Sequence, residues 1–81
     1  MQIKVYGRAG DPYSDMVRNI LKYHHIEFEN IEVSRDPDAF RSLISTSGLT
    51  STPVLVVDGK VYVGFDHKMI KDVLGISKEQ A

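Results

Sequence analysis

Apolar and polar residues alternate at the start of the chain, with Ile3 and Val5 on one face and Lys4 and Tyr6 on the other. That period of two, carried by β-branched residues, predicts a strand over residues 2–7. After a loop over residues 7–10 the period lengthens. Met16, Val17, Ile20, Leu21 and His24 recur at helical spacing. Asp11 suits the N-cap and Pro12 the first helical position, so a helix is predicted over about 12–24. Phe28, Ile31 and Val33 are the apolar members of a second strand over residues 28–33. A strand, a crossover helix and another strand imply a right-handed parallel unit.

Asp36-Pro37-Asp38 repeats the signal of cap, N1 proline and first-turn carboxylate. Phe40, Leu43 and Ile44 form the stripe of a short helix, and Gly48 suits its C′ position. The Ser-, Thr- and Gly-rich stretch 45–52 reads as a connection. Pro53 then leads into Val54-Leu55-Val56-Val57, a continuous apolar run of the kind buried strands carry. Asp58-Gly59 is a hairpin turn, because both residues tolerate positive φ. Residues 60–63 form the return strand. Gly64-Phe65-Asp66 opens a last helix, with Asp66 as cap and Met69, Ile70, Val73 and Leu74 as its buried stripe. Residues 77–81 are polar and expected to fray. The predicted order is β-α-β-α-β-β-α, an α/β architecture of three helices on a four-stranded mixed sheet. Its spatial strand order is second, first, third, fourth.

Composition narrows the function. The 81 residues suit one domain over 1–81, with a core over about 2–75. With 42% hydrophobic and 26% charged residues the chain has a globular composition. A formal net charge of -1 gives no broad attraction to nucleic acid or to an anionic membrane. No apolar run approaches the roughly 20 residues of a membrane helix. The N-terminus enters a strand pattern without a signal sequence, so a cytoplasmic protein is expected, and a monomer. The chain has no cysteine, which removes disulfides, thiolate metal sites and thiol redox centres. His24 and His25 are adjacent and point to different faces of a helix, and His67 is remote, so no metal site is expected.

Four local motifs together carry a family resemblance. They are Pro12-Tyr13 at the strand-to-helix junction, Thr52-Pro53 before the third strand, the Val56-Val57-Asp58-Gly59-Lys60 hairpin, and Gly64-Phe65-Asp66 before the last helix. At this spacing, and over nearly the whole chain, the sequence resembles the glutaredoxins of the thioredoxin superfamily. The Gly-Phe form and the short length are most similar to the small glutaredoxin-like redoxins of bacteria and archaea. The family's motif is Cys-Pro-Tyr-Cys; here it reads Asp11-Pro12-Tyr13-Ser14.

The resemblance implies a thioredoxin fold and a cis peptide bond at Pro53. It assigns Asp11 to the position of the nucleophilic thiolate and Ser14 to that of the resolving thiol, so both are vestigial. Tyr13, Thr52, Pro53, Gly64, Phe65 and Asp66 fall where the family binds glutathione or an extended protein-thiol segment. Asp66 and its helix N-terminus would receive the γ-glutamyl group. Thiol–disulfide exchange needs a thiolate that attacks sulfur and a sulfur leaving group, and Asp and Ser supply neither. Three readings follow: a binding domain that has kept the groove, an oxidoreductase whose cysteines were replaced, and a structural interaction module. Asp11 reads as a helix cap or as a fixed anion that opposes anionic ligands. Ser14 reads as a solvated first-turn serine, or as a hydroxyl donor to a thiolate of the kind glutathione transferases use.

Overall fold

The computed structural model describes residues 1–75. Seven elements follow in the order β1 (Ile3–Gly7), α1 (Pro12–Tyr23), β2 (Glu29–Glu32), α2 (Pro37–Ser47), β3 (Val54–Val57), β4 (Lys60–Val63) and α3 (His67–Leu74). The sheet order is β2-β1-β3-β4, the spatial order expected from the sequence. β2 runs parallel to β1, β3 pairs antiparallel with β1, and β4 antiparallel with β3. The polar tail over residues 77–81 lies outside the described residues.

The two central strands, β1 and β3, bury residues on both faces, and helices cover both faces. Ile3 and Val5 of β1, with Leu55 and Val57 of β3, pack against Val17 and Leu21 of α1 and Ile70 and Leu74 of α3. Tyr6, Val33 and Val54 pack on the other side against Leu43 of α2. The second face of β1 is therefore not a polar one. Tyr6 is buried, and its hydroxyl shares a 2.8 Å hydrogen bond with Ser42 Oγ of α2. Each fully buried aliphatic side chain contributes about 1.5–3 kcal/mol relative to exposure, which makes these two clusters the main stabilising feature.

Aspartates start all three helices. The side chains of Asp11, Asp36 and Asp66 each accept a hydrogen bond from a backbone N–H in the first turn. α2 extends through Ser47 and ends at Gly48 in the left-handed conformation, so residues 45–47 are helical and not connection. Two of its serines bond back to helix carbonyls, Ser45 to Arg41 and Ser47 to Leu43, which accommodates polar residues without a break. Ile44 and Met16, assigned to buried stripes, are exposed. β2 is shorter than expected, yet Phe28 and Val33 just outside it still pack against the two clusters. Asp58 and Gly59 form the β3–β4 turn with φ of 49° and 86°. Asp58 is also tied to the start of β1, because its Oδ1 accepts from the Gln2 N–H at 2.7 Å. Among the described residues no helix is long and apolar enough to cross a membrane.

Candidate functional site

The C-terminal end of β1, the N-terminal end of β3 and the C-terminal end of β4 lie at one end of the sheet. The loops and helix starts attached to these ends converge there. Tyr13 stands in the first turn of α1, Thr52 and Pro53 precede β3, and Gly64 and Phe65 follow β4. These five residues line an open cleft of about 320 Å³. The Thr52–Pro53 peptide bond is cis, and the Gly64 N–H donates to the Pro53 carbonyl at 2.9 Å, which holds the β4–α3 corner over the proline. Gly64 takes φ of 84°, a conformation that favours glycine.

Tyr13 is 57% exposed, and its ring lies 6.1 Å from that of Phe65. Phe65 in turn stacks on His67 at 6.3 Å. One wall of the cleft is therefore aromatic. Among the described residues, no backbone hydrogen bond engages the N–H or C=O of Thr52, which lies beside the groove. Asp66 does not line the cleft. Its Oδ1 accepts from the Lys68 and Met69 N–H groups as the cap of α3.

The two positions where the glutaredoxin motif has sulfur are hydrogen-bonded to each other. Ser14 Oγ donates to Asp11 Oδ2 at 2.7 Å, and Thr52 Oγ1 donates to the same oxygen at 2.8 Å. Asp11 Oδ1 accepts from the Tyr13 N–H at 3.1 Å. Asp11 thus caps α1 and also clamps the helix to the loop before Pro53. Partial burial would raise its carboxyl, but the hydrogen bonds from Ser14, Thr52 and the first-turn amides outweigh it and hold the group below the ordinary carboxylate value. Ser14 is fully buried and not a solvated serine. Its proton is directed at Asp11, whose carboxylate, held below the ordinary value, is too weak a base to activate the hydroxyl, and the hydroxyl is not exposed.

Two arginines missed in the sequence reading complete the network. Arg8 Nη1 donates to Thr52 Oγ1 at 3.2 Å and Nη2 to the Thr50 carbonyl at 2.7 Å. Arg18 is buried against β1, where it bonds Asp15, Asn30 and the Arg8 carbonyl. Gly7 makes room for it: a Cβ there would lie 2.5 Å from Arg18 Nη1 and 2.9 Å from the Ser14 Cβ. The available signal was Gly7 at a strand end, four residues before a helix cap, which marks a close approach of backbone to helix. A larger depression of about 520 Å³ lies on the far side of Arg8, towards the start of α2.

Comparison with known proteins agrees with this geometry. The sequence model of the glutaredoxin family matches residues 3–62. An uncharacterised glutaredoxin-like 8.6 kDa protein in the rubredoxin operon of Clostridium pasteurianum is 28% identical over 72 residues, covering 89% of this chain and 96% of that protein. The crystal structure of a mutant thioredoxin-like protein superposes with a TM-score of 0.87 and 30% identity, covering 94% of this chain and 97% of that one. NrdH-redoxin from Escherichia coli, a glutaredoxin-like protein with a thioredoxin-like activity profile, superposes with a TM-score of 0.77 and 26% identity, covering 90% of this chain and 95% of that one. The architecture is a thioredoxin fold, and the chain belongs to the glutaredoxin family.

Proposed function

We propose that this protein is a non-catalytic glutaredoxin-family domain that binds an extended thiol-bearing peptide, of which glutathione is the smallest. The groove of Tyr13, Thr52, Pro53, Gly64 and Phe65 would hold it. The observation that carries the reading is that this groove is open and its tyrosine exposed, although both sulfur positions are occupied by Asp11 and Ser14. An extended ligand would pair its backbone with that of Thr52 and lay its side chains against Tyr13 and Phe65, a mode in which main-chain bonds give affinity and pockets give selectivity. The chemistry stops at binding. A carboxylate does not displace sulfur from a disulfide, and the buried Ser14 hydroxyl faces only the Asp11 carboxylate, too weak a base to activate it. A cytoplasmic, monomeric protein fits the same reading.

A titration with reduced glutathione, followed by amide chemical shifts at neutral pH, tests it. Saturable shifts clustered at Tyr13, Thr52, Gly64 and Phe65 are expected, and Tyr13→Ala should weaken them. Shifts absent into the millimolar range, for glutathione and for an extended cysteine peptide alike, would overturn the binding reading.

A further inference from the structure

We infer that the groove selects a protein segment in which an aromatic side chain stands next to the cysteine, and that His67 is a specificity-determining residue for that ring. This inference deepens the binding function proposed above and rests on it. Three rings line up beside the cleft: Tyr13 from the first turn of α1, Phe65 from the β4–α3 corner and His67 from the first turn of α3. The Tyr13 and Phe65 centroids are 6.1 Å apart with planes inclined by 33°. Those of Phe65 and His67 are 6.3 Å apart with planes inclined by only 16°. Face-to-face stacking would bring rings to about 3.5–4 Å, and a ring inserted between two others would need about 7 Å. The three rings are therefore offset like steps, and a ligand ring has to lie on their open faces.

Those faces are accessible. Tyr13 and His67 are exposed and Phe65 is half-buried. Met16, one helical turn beyond Tyr13 on the same face of α1, is also exposed and widens the surface. The core does not use His67, because its helix buries Ile70 and Leu74 instead. An exposed imidazole nearly parallel to a groove-lining phenylalanine thus extends the aromatic wall without stabilising the core. Aromatic rings favour offset and tilted arrangements with centroids roughly 4.5–7 Å apart, and gain from them beyond the apolar area they bury. A staircase of three such faces therefore favours a planar ring over an aliphatic side chain of the same bulk. Glutathione carries no ring and leaves that preference unused. The ligand class that uses it is a protein segment with phenylalanine, tyrosine or tryptophan beside its cysteine.

The test uses capped, reduced peptides acetyl-X-Cys-X-amide, titrated into the intact protein. X is phenylalanine, cyclohexylalanine (a saturated ring of similar bulk) or alanine. Amide shifts at Thr52 and Gly64 report binding. The phenylalanine peptide should bind about three- to tenfold tighter than the cyclohexylalanine peptide. Its ring current should also move the ring-proton resonances of Tyr13 and His67 upfield, which a saturated ring does not do. His67→Ala should lower the preference for phenylalanine, and His67→Phe, which keeps a ring, should restore it. Binding of the cyclohexylalanine peptide as tight as that of the phenylalanine peptide, or a preference unchanged in His67→Ala, would overturn the inference and leave the groove reading standing. Failure of all three peptides and of glutathione to shift these residues would remove the groove reading and this inference with it. The ring-proton shifts are read on the unaltered protein, so they decide the matter even if a variant folds poorly.

Discussion

Asp11 places a negative charge where the glutaredoxin motif has its nucleophilic sulfur, and it does so at a helix N-terminus that favours anions. The difference is that a carboxylate can be fixed by several donors at once. It accepts from Ser14, Thr52 and the Tyr13 N–H, so it joins α1 to the loop before Pro53. Asp11→Ala should cost about 2–3 kcal/mol in urea unfolding, from a lost cap and from the buried Ser14 hydroxyl left without its acceptor. Asp11→Asn should cost only about 1 kcal/mol, because asparagine caps well and the hydroxyls can turn to meet its amide. The pH dependence has a defined sign. A carboxyl held below its ordinary value of 3.8 contributes fully above that pH, and the contribution is lost as pH falls through the lower folded-state value. The stability gap between wild type and Asp11→Asn should therefore be constant near neutrality and close in acid. Glu32, held low by hydrogen bonds from Ser34, adds to the acid sensitivity in the same direction.

At the scale of elements, α1 shows where periodicity misleads. The apolar letters place its stripe on Met16, Val17, Ile20, Leu21 and His24, but the buried residues are Ser14, Val17, Arg18 and Leu21. The stripe is rotated because Gly7 lets the start of α1 sit close against β1, and because Arg18 finds partners for its guanidinium inside. A polar residue with an internal partner is invisible to a hydrophobicity pattern, so Ser14 and Arg18 could not be placed from sequence. The aspartate caps and the Asp58-Gly59 turn were legible because their signal is local and does not depend on what packs nearby. Gly7→Ala should destabilise the fold by about 1–3 kcal/mol, since Arg18 can move its flexible end but the Ser14 Cβ sits on the helix backbone. Thermal unfolding would register the loss, and a neutral result would mean that α1 shifts outward freely. Leu21→Ala, at a fully buried position of the same helix, should cost about 2–5 kcal/mol by the same measurement.

The whole molecule was readable from strand order, hairpin and cap signals spread along the chain, and these are also what the family comparison matches. The groove was legible only through the resemblance, because its five lining residues come from three separated stretches that nothing in composition or spacing brings together. The hydrogen-bonded network behind it, from Asn30 through Arg18 and Arg8 to Thr52 and Asp11, was not legible at all. The molecule has the fold of its glutaredoxin family with Asp11 and Ser14 at the two motif positions, and under the function proposed above these two side chains, and not the surrounding structure, remove the chemistry. The double reversion Asp11→Cys/Ser14→Cys, assayed for reduction of a glutathione mixed disulfide on a peptide, tests that claim most directly. The unaltered protein should show no exchange, and the folded double variant should exceed a free dithiol of equal concentration, with Tyr13→Ala raising its KM. A folded double variant no faster than the free dithiol would contradict the account, because it would mean that the groove no longer receives the ligands of its family.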